Sequence, residues 1–431
     1  MNLTLLNSSS QGANAGPMGA ASASSRPEVQ PLDAARKFPR NLRYKLSLAD
    51  FEQAARKYLP HPIFSYIQGG VEDNRSLQQN LDAFQAREFV PRVLTDVSVR
   101  HTRTDLFGVT CESPFGIGPM GISALAAYDG DRVMARAAQQ ARIPMVLSGA
   151  SLTRMEEVAP VAPEYAWFQA YLPGDEHQIV RTAERARNAG FETLVLTVDT
   201  AARANRENNV RAGFSTPLRP SVRLALEGIM HPRWLLGTFC RTLYVHGMPR
   251  FENTASEVAV PIISRKAARQ FNRDNLNWRH VALMRKVWKG NLVLKGILSA
   301  DDARIAATHG VDGIIVSNHG GRQLDGAVAP LKVLPDIASA SGGMKVMFDG
   351  GIRRGGDVIK ALALGADFVF VARPFLYAAA VAGEEGVTHC IGLLQEEVRR
   401  NMASLGVTAI ADIHPGLLFQ GSQVEERIRR N

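Results

Sequence analysis

MKVMFDGGIRRGGDVIKALALGADFVFVARP, residues Met344 to Pro374, decides how the rest of the chain is read. An apolar run ends in Asp349 and two glycines. A stretch with apolar residues at helical spacing follows, and a second apolar run, DFVFV, ends at Ala372 and Arg373. Two short apolar runs flanking one helical pattern predict a strand–helix–strand unit with parallel strands, buried on both faces. The rhythm extends back to Phe115 through FGIGPM, PMVLS, YAWFQAY, TLVLTVD, NLVLKG and DGIIVS. Helical patterns fall between these runs: GDRVMARAAQQAR, QIVRTAERARNAG and SADDARIAATHG. Eight strands alternating with helices predict an α/β chain closed into a (β/α)8 TIM barrel rather than an open doubly wound sheet.

The remaining segments are placed around that barrel, expected over about residues 113–385. Upstream, SLADFEQAARKYL, with Ser47 as its cap, and NRSLQQNLDAF predict an N-terminal helical segment. C-terminal helices over about 386–431 complete one domain from residue 36 to 431. Residues 1–35, rich in Ser, Ala, Gly and Pro, lack the order of a secretory signal and are expected to form a disordered tail. About ninety residues separate TLVLTVD from NLVLKG, where a barrel loop takes roughly 2–6. An insertion after strand 4, about 210–280, is therefore expected. Within it, Arg219, Arg223, Arg233, Arg241 and Arg250 punctuate Leu, Ile, Met, Trp and Phe, with Glu227 the single acid of that span. Two readings stand: a surface lying on an anionic membrane, or a lid or subunit contact.

Bulk composition excludes several classes. With 45% apolar and 21% charged residues, the 431-residue chain can bury a large core. Its three cysteines lie far apart without metal spacing, so neither a disulfide framework nor a metal site is expected, and a reducing compartment fits. No apolar run approaches the roughly 20 residues of a spanning helix. The net charge of +9 is spread along the chain without a zinc-finger or RNP-like motif, so no nucleic-acid partner is expected.

Chemistry in such a barrel gathers at the C-terminal strand ends. Those ends carry Pro119, Met120 and Gly121; Ser148; Gln169 and Tyr171; Thr197 and Asp199; Lys295; Ser317 and His319; Asp349, Gly350 and Gly351; and Arg373. Singly, a strand-end Ser or Thr caps the next helix more often than it touches a ligand. Together they converge on one mouth. In FDGGIRRGGDV and VARPF, glycines, the amides of a helix start, Arg353, Arg354 and Arg373 predict a phosphate site. Lys295 reads as a Schiff-base lysine or as a fixed charge beside an anionic cofactor. SNHGGRQLD, Ser317 to Asp325, brings His319 within reach of the Asp199 carboxylate, while Arg322 and Arg206 offer two cations to a carboxylate substrate.

These motifs, with FSYIQGG, WFQAY, LTVDT and VLKGIL in order, resemble the FMN-dependent α-hydroxy-acid dehydrogenases and oxidases over roughly residues 42–415. That family includes glycolate oxidase, flavocytochrome b2, and the bacterial L-lactate and mandelate dehydrogenases. The resemblance implies FMN as cofactor. Its phosphate falls to Arg373, Arg353, Gly351, Gly350 and the Ala372 backbone, and its ribityl hydroxyls to Asp349. Its ring and ribityl chain fall to Ser148, Gln169, Thr197, Ser317 and the Met120–Gly121 backbone, with Lys295 near N1 and O2. For the substrate, the resemblance assigns the carboxylate to Arg322, Tyr66 and Arg206, and the hydroxyl to Tyr171. His319, steadied by Asp199, takes the hydroxyl proton while hydride passes to flavin N5; a carbanion route needs the same base.

Departures from the family pattern are few: Ala372 where many relatives have Gly, Ala170 where Leu is common, and Ile67 where some have a second tyrosine. Gly121, Ala150 and the insertion look most like the membrane-associated bacterial dehydrogenases. L-lactate as substrate, with quinone or another membrane acceptor, is therefore expected; mandelate is the near rival and an oxygen-using oxidase the next. A non-redox FMN barrel or a non-catalytic flavin protein would not need His319, Arg322, Arg206 and Tyr171 together. The expected place is the cytoplasm, with peripheral attachment to the cytoplasmic face of the inner membrane as the alternative. The resemblance also implies a homo-oligomer, a tetramer.

Overall fold

The computed structural model describes residues 42–215, 217–254, 258–266 and 273–419. The expected N-terminal tail and the last residues of the C-terminal segment lie outside them. The eight apolar runs form eight parallel strands: β1 (Phe115–Ile117), β2 (Met145–Ser148), β3 (Ala166–Ala170), β4 (Thr193–Thr197), β5 (Asn291–Ile297), β6 (Gly313–Val316), β7 (Lys345–Asp349) and β8 (Phe368–Val371). They pair in chain order, and β8 returns to β1 through Val369–Phe115 and Val371–Ile117, closing the barrel.

Side-chain alternation along each strand sorts the core into two parts. Val146, Trp167, Val195, Val293, Ile315, Met347 and Phe370 fill the barrel. Leu147, Phe168, Leu194, Leu294, Ile314 and Phe348 point outward to the helices. A short antiparallel hairpin, Thr104–Leu106 with Val109–Cys111, adds Leu106 and Cys111 to the inner cluster.

The predicted helices form at Leu48–Tyr58, Arg75–Gln85, Gly130–Ala141, Glu176–Asn188, Ala300–Thr308 and Gly355–Ala363. At Ser47, the cap expected from the sequence, the amide and the hydroxyl both donate to Asp50, at 2.9 and 3.0 Å. Side chains cap two helices for which no cap was read, Asp175 accepting from the Gln178 amide and Ser299 from those of Asp301 and Asp302. The structure adds helices at His61–Gln68 and Pro330–Ser339, and a long one from Arg373 to Ser404 broken at Ala382–Gly383.

Between β4 and β5 the insertion carries helices at Glu207–Ala212 and Val222–Met230 and a helical stretch from Pro232 to His246. One face is tied down: buried Trp234 donates to the Leu125 carbonyl at 2.8 Å, and Tyr58 bonds Thr238 at 3.1 Å. The other face exposes Val222 (79%), Leu226, Ile229, Met230, Leu236 and Tyr244 (92%) beside exposed Arg219, Arg223, Arg233 and Arg241. Among the described residues, no helix is long and apolar enough to cross a membrane.

Candidate active site

The parity that fills the barrel also builds its mouth. Two positions beyond the inward Val146, Trp167, Val195, Val293, Ile315 and Met347 come Ser148, Gln169, Thr197, Lys295, Ser317 and Asp349. They form a polar layer on an apolar plug. Lys295, 4% exposed, lies 2.9 Å from Asp349 Oδ2 and donates to Ser317 Oγ at 2.8 Å. Burial works to lower its pKa, but Asp349 and Asp199 outweigh it and raise it. It is a fixed cation, not the deprotonated amine that Schiff-base chemistry needs. Ser148 Oγ donates to Gln169 Oε1 at 3.1 Å. Ser148, Gln169 and Ser317 are packed behind the wall of the cavity above, whereas Thr197, Lys295 and Asp349 reach it.

That cavity is about 640 Å³, and SNHGGRQLD forms one side of it. His319, Gly320 and Gly321 all have φ between 58° and 73°. A histidine in this left-handed region costs about 1–3 kcal/mol and persists only where its surroundings enforce it. Asn318 does so: its Oδ1 accepts from Asn80 Nδ2 at 2.8 Å and from the Gly321 amide at 3.0 Å, and its Nδ2 donates to Asn80 Oδ1. Asp325 accepts from the Ser76 amide at 2.8 Å, fixing the far end of the loop to helix Arg75–Gln85. The motif therefore divides its labour. Ser317, Asn318 and Asp325 hold the loop; His319 and Arg322 are delivered to the cavity.

His319 Nδ1 lies 2.9 Å from Asp199 Oδ1, and its Nε2 lies 3.3 Å from the Tyr171 hydroxyl. Burial is the strongest influence on His319 and holds its pKa below the ordinary value despite Asp199. Burial also opposes ionisation of Asp199, but His319 and Lys295 outweigh it and keep that carboxyl below its usual range. The result is a neutral imidazole that donates from Nδ1 to a carboxylate and presents an accepting Nε2. Burial likewise raises the Tyr171 pKa, so its phenol stays a donor.

Two arginine pairs flank this cluster. Arg206 donates to the Arg322 carbonyl at 3.2 Å and to Gln323 Oε1 at 2.7 Å, while the Arg322 guanidinium lies 5.1 Å from the Tyr66 ring centre. Burial, then repulsion from Arg206, brings Arg322 down to about 9. Arg373 donates to the Ile67 and Gly320 carbonyls, and burial, then Arg353, brings it to about 10. A half-buried pair of like charges relaxes when an anion joins it, so each pair can receive one.

The helix start at Gly355 does not serve as the sequence implied. Asp357 Oδ2 already accepts from the Arg353 and Arg354 amides at 2.9 Å, and Gly355 donates to Glu397 Oε2 at 2.7 Å. Arg354 turns away to Glu397, so of the two arginines Arg353 is the one that lines the cavity. Gly351 has a packing reason as well: its φ is 87°, and a Cβ there would run into the Asn80 carbonyl. Met120, Gly121, Gly350 and Ala372 line the cavity as expected from their strand ends. Phe214, Phe251 and Arg273 line it too, and sequence reasoning missed all three. They come from the insertion, where no strand rhythm marks which residues face inward.

The layer suits a flavin on its own chemistry. Thr197 Oγ1 and Asp349 Oδ1, on residues that reach the cavity, are buried without a hydrogen-bond partner. Each such atom costs about 1–3 kcal/mol when left unmatched. A ligand with donors and acceptors along a flat edge, hydroxyls on a chain, and a phosphate at Arg353 and Arg373 would match them; an apolar ligand would not.

The sequence profile of the FMN-dependent dehydrogenases matches residues 55–420. (S)-Mandelate dehydrogenase of Pseudomonas putida is 38% identical over 380 residues, spanning 86% of this chain and 93% of that protein. L-Lactate dehydrogenase of Alcaligenes faecalis is 38% identical over 380 residues, spanning 87% and 98%. The crystal structure of the monotopic membrane protein (S)-mandelate dehydrogenase superposes with a TM-score of 0.81 at 37% identity, covering 87% of this chain and 99% of that one.

Proposed function

The chain belongs to the FMN-dependent dehydrogenase family, and from that premise we propose that it oxidises an L-2-hydroxy acid to the 2-oxo acid, passing the electrons to quinone or another membrane acceptor. The observation that carries this reading is the His319–Asp199–Tyr171 cluster set between two arginine pairs. Bound FMN would supply the two-electron acceptor. Arg353, Arg373, Gly350, Gly351 and the Ala372 backbone would hold its phosphate end. Asp349, Thr197, Lys295 and the Met120–Gly121 backbone would hold the remainder, above Ser148, Gln169 and Ser317.

The chain's own residues do the rest. Arg322 and Arg206, with the Tyr66 hydroxyl, would fix the substrate carboxylate, and Tyr171 would donate to its hydroxyl. His319 Nε2 would accept the hydroxyl proton, and Asp199 would stabilise the imidazolium. Carboxylate and hydroxyl held at once leave the α-hydrogen one direction to face, which is where proximity gives its rate advantage.

L-Lactate is the smallest chiral 2-hydroxy acid that uses all these contacts. A bulkier acid such as mandelate is favoured by one observation: a Cβ on Gly121 would lie 3.0 Å from Ala150 Cβ and 3.5 Å from the Tyr66 hydroxyl. The absence of larger side chains at both positions opens that wall. We read the exposed apolar, arginine-rich face of the insertion as the surface that rests on an anionic membrane. Phe214 and Phe251, before and after the helices of that face, wall the cavity.

The test is anaerobic mixing of the flavin-loaded protein with L-lactate and L-mandelate in turn. Loss of the oxidised-flavin absorbance with either supports the reading, and the faster acid sets the substrate. Admitting air separates the acceptors: slow reoxidation directs the search to quinones, while fast reoxidation makes the protein an oxidase. No absorbance change with any L-2-hydroxy acid would overturn the proposal.

A further inference from the structure

Arg206 stands at the start of helix Glu207–Ala212, yet its guanidinium is held from the far side of the mouth, by the loop that carries His319. Nε donates to the Arg322 carbonyl at 3.2 Å and Nη2 to Gln323 Oε1 at 2.7 Å. The first acceptor is backbone, which any residue at position 322 would offer. Among the described residues, Gln323 is thus the one side chain that holds Arg206. Its amide can face only one way. An arginine has donors alone, so Oε1 turns to Arg206, and this aims Nε2 at the Asp199 carbonyl, 3.5 Å away. Half-buried Gln323 therefore lies between the arginine clamp and the residue that steadies His319. Of the five N–H groups of a guanidinium, two are engaged in these contacts, which leaves three to a ligand in the cavity that Arg206 lines.

We propose that Gln323 is a positioning residue for the substrate carboxylate: by accepting from Arg206 it fixes the second arginine of the clamp against the loop that bears the first. This rests on the 2-hydroxy-acid reading above, in which Arg206 and Arg322 take the carboxylate together. Arginine is a long side chain with about 2 kcal/mol of rotamer freedom, and its planar fork is useful only where its direction is set beforehand. Without the acceptor at Gln323, Arg206 keeps one backbone contact and swings about it, and the carboxylate is left to Arg322 and Tyr66.

The experiment uses the flavin-loaded protein as wild type, Gln323→Met, Gln323→Leu, Arg206→Met and the double variant Arg206→Met with Gln323→Met. Calorimetric binding of oxalate gives a readout independent of turnover, and anaerobic flavin reduction by the acid that wild type uses gives the kinetics. Both Gln323 variants remove the acceptor and keep most of the bulk, so either serves if the other retains too little flavin. A hydrogen bond to a charged group is worth about 10- to 100-fold in an equilibrium constant, and oxalate should bind more weakly by that factor in the Gln323 variants. KM should rise to match, while kcat falls by less than about threefold, because the carboxylate contact is made equally in the ground and transition states. The acid limb set by His319 should stay where it is. In the Arg206→Met background, Gln323→Met should cost less than about twofold more, since Gln323 then has no cation to hold.

Three results overturn the proposal and leave the 2-hydroxy-acid reading intact. The first is oxalate affinity and KM within about threefold of wild type in a fully flavin-loaded Gln323 variant. The second is additive losses for Gln323→Met and Arg206→Met, which would mean that the two side chains act separately. The third is a fall in kcat with a displaced acid limb, which would mean that Gln323 braces the whole loop, and His319 with it, rather than Arg206. Failure of every 2-hydroxy acid to reduce the wild-type flavin overturns both readings at once.

Discussion

Replacing Asp199 by asparagine tests the proton-transfer machinery most directly. The carboxylate accepts from His319 Nδ1 at 2.9 Å, so the proton resides on Nδ1 and Nε2, 3.3 Å from the Tyr171 hydroxyl, stays an acceptor. An asparagine amide can turn its NH2 toward Nδ1 and favour the tautomer with the proton on Nε2, which cannot take one from the substrate. The substitution also removes the charge that offsets the imidazolium formed during proton transfer. Two unit charges about 4 Å apart at an effective dielectric of about 20 interact by about 4 kcal/mol, or roughly 10³-fold in rate. The flavin-reduction rate in anaerobic stopped-flow should therefore fall by about 10²- to 10⁴-fold. Flavin content and substrate-analogue binding should be retained, since Asp199 belongs to neither arginine pair. A loss below about tenfold with full flavin content would refute the assignment of His319 as base with Asp199 as its partner.

Other outcomes follow from the same geometry. Gly296→Ala should reproduce much of the Asp199→Asn defect without replacing a polar group, because its Cβ would lie 2.5 Å from Asp199 Cβ and its φ is 110°; steady-state kcat on the purified variant checks it. Because burial holds the His319 pKa below about 6.5, kcat/KM should be level at neutral pH and fall only as pH drops through that lowered value. An acid limb centred at pH 7 or above would contradict a buried neutral base. Lys295→Met leaves Asp349 buried without its cation and should cost about 3–5 kcal/mol in urea unfolding, most of which a paired Asp349→Leu should restore. Leu226→Glu with Ile229→Glu and Leu236→Glu should abolish co-flotation with anionic phosphatidylglycerol vesicles while leaving turnover with a soluble acceptor within about twofold, since these side chains face outward.

How much of this was legible in the sequence depended on periodicity. Each of the eight strands sits where an apolar run was read, because a parallel strand buried on both faces leaves an uninterrupted apolar word such as TLVLT or GIIV. The polar layer at the strand ends was legible for the same reason, since a polar residue closing such a word has one place to go. What was not legible came from segments without a repeat. Helix Pro330–Ser339 starts on a proline but has Ala329 in place of a capping side chain, and Pro335 inside it reads as a break. Phe214, Phe251 and Arg273 lie in an insertion whose inward face is set by tertiary anchors such as Trp234 on the Leu125 carbonyl. The glycines of FDGG were read for phosphate alone, whereas Gly351 also answers to the Asn80 carbonyl of a helix more than 250 residues upstream. No local pattern encodes that contact.

The same contact explains why scaffold and site are hard to separate in this chain. Helix Arg75–Gln85 meets two loops at the C-terminal end of the barrel through one residue: Asn80 bonds Asn318 through its amide and limits Gly351 through its backbone. The loop after β6 carries His319 and Arg322, and the loop after β7 carries Arg353. One buried amide pair therefore sets the position of His319 relative to Arg353. A displaced Asn80 would allow His319 to relax from its left-handed φ of 58° and move Nε2 away from Tyr171. The N-terminal helices, which look in sequence like an addition to a complete barrel, are by this argument part of the catalytic geometry.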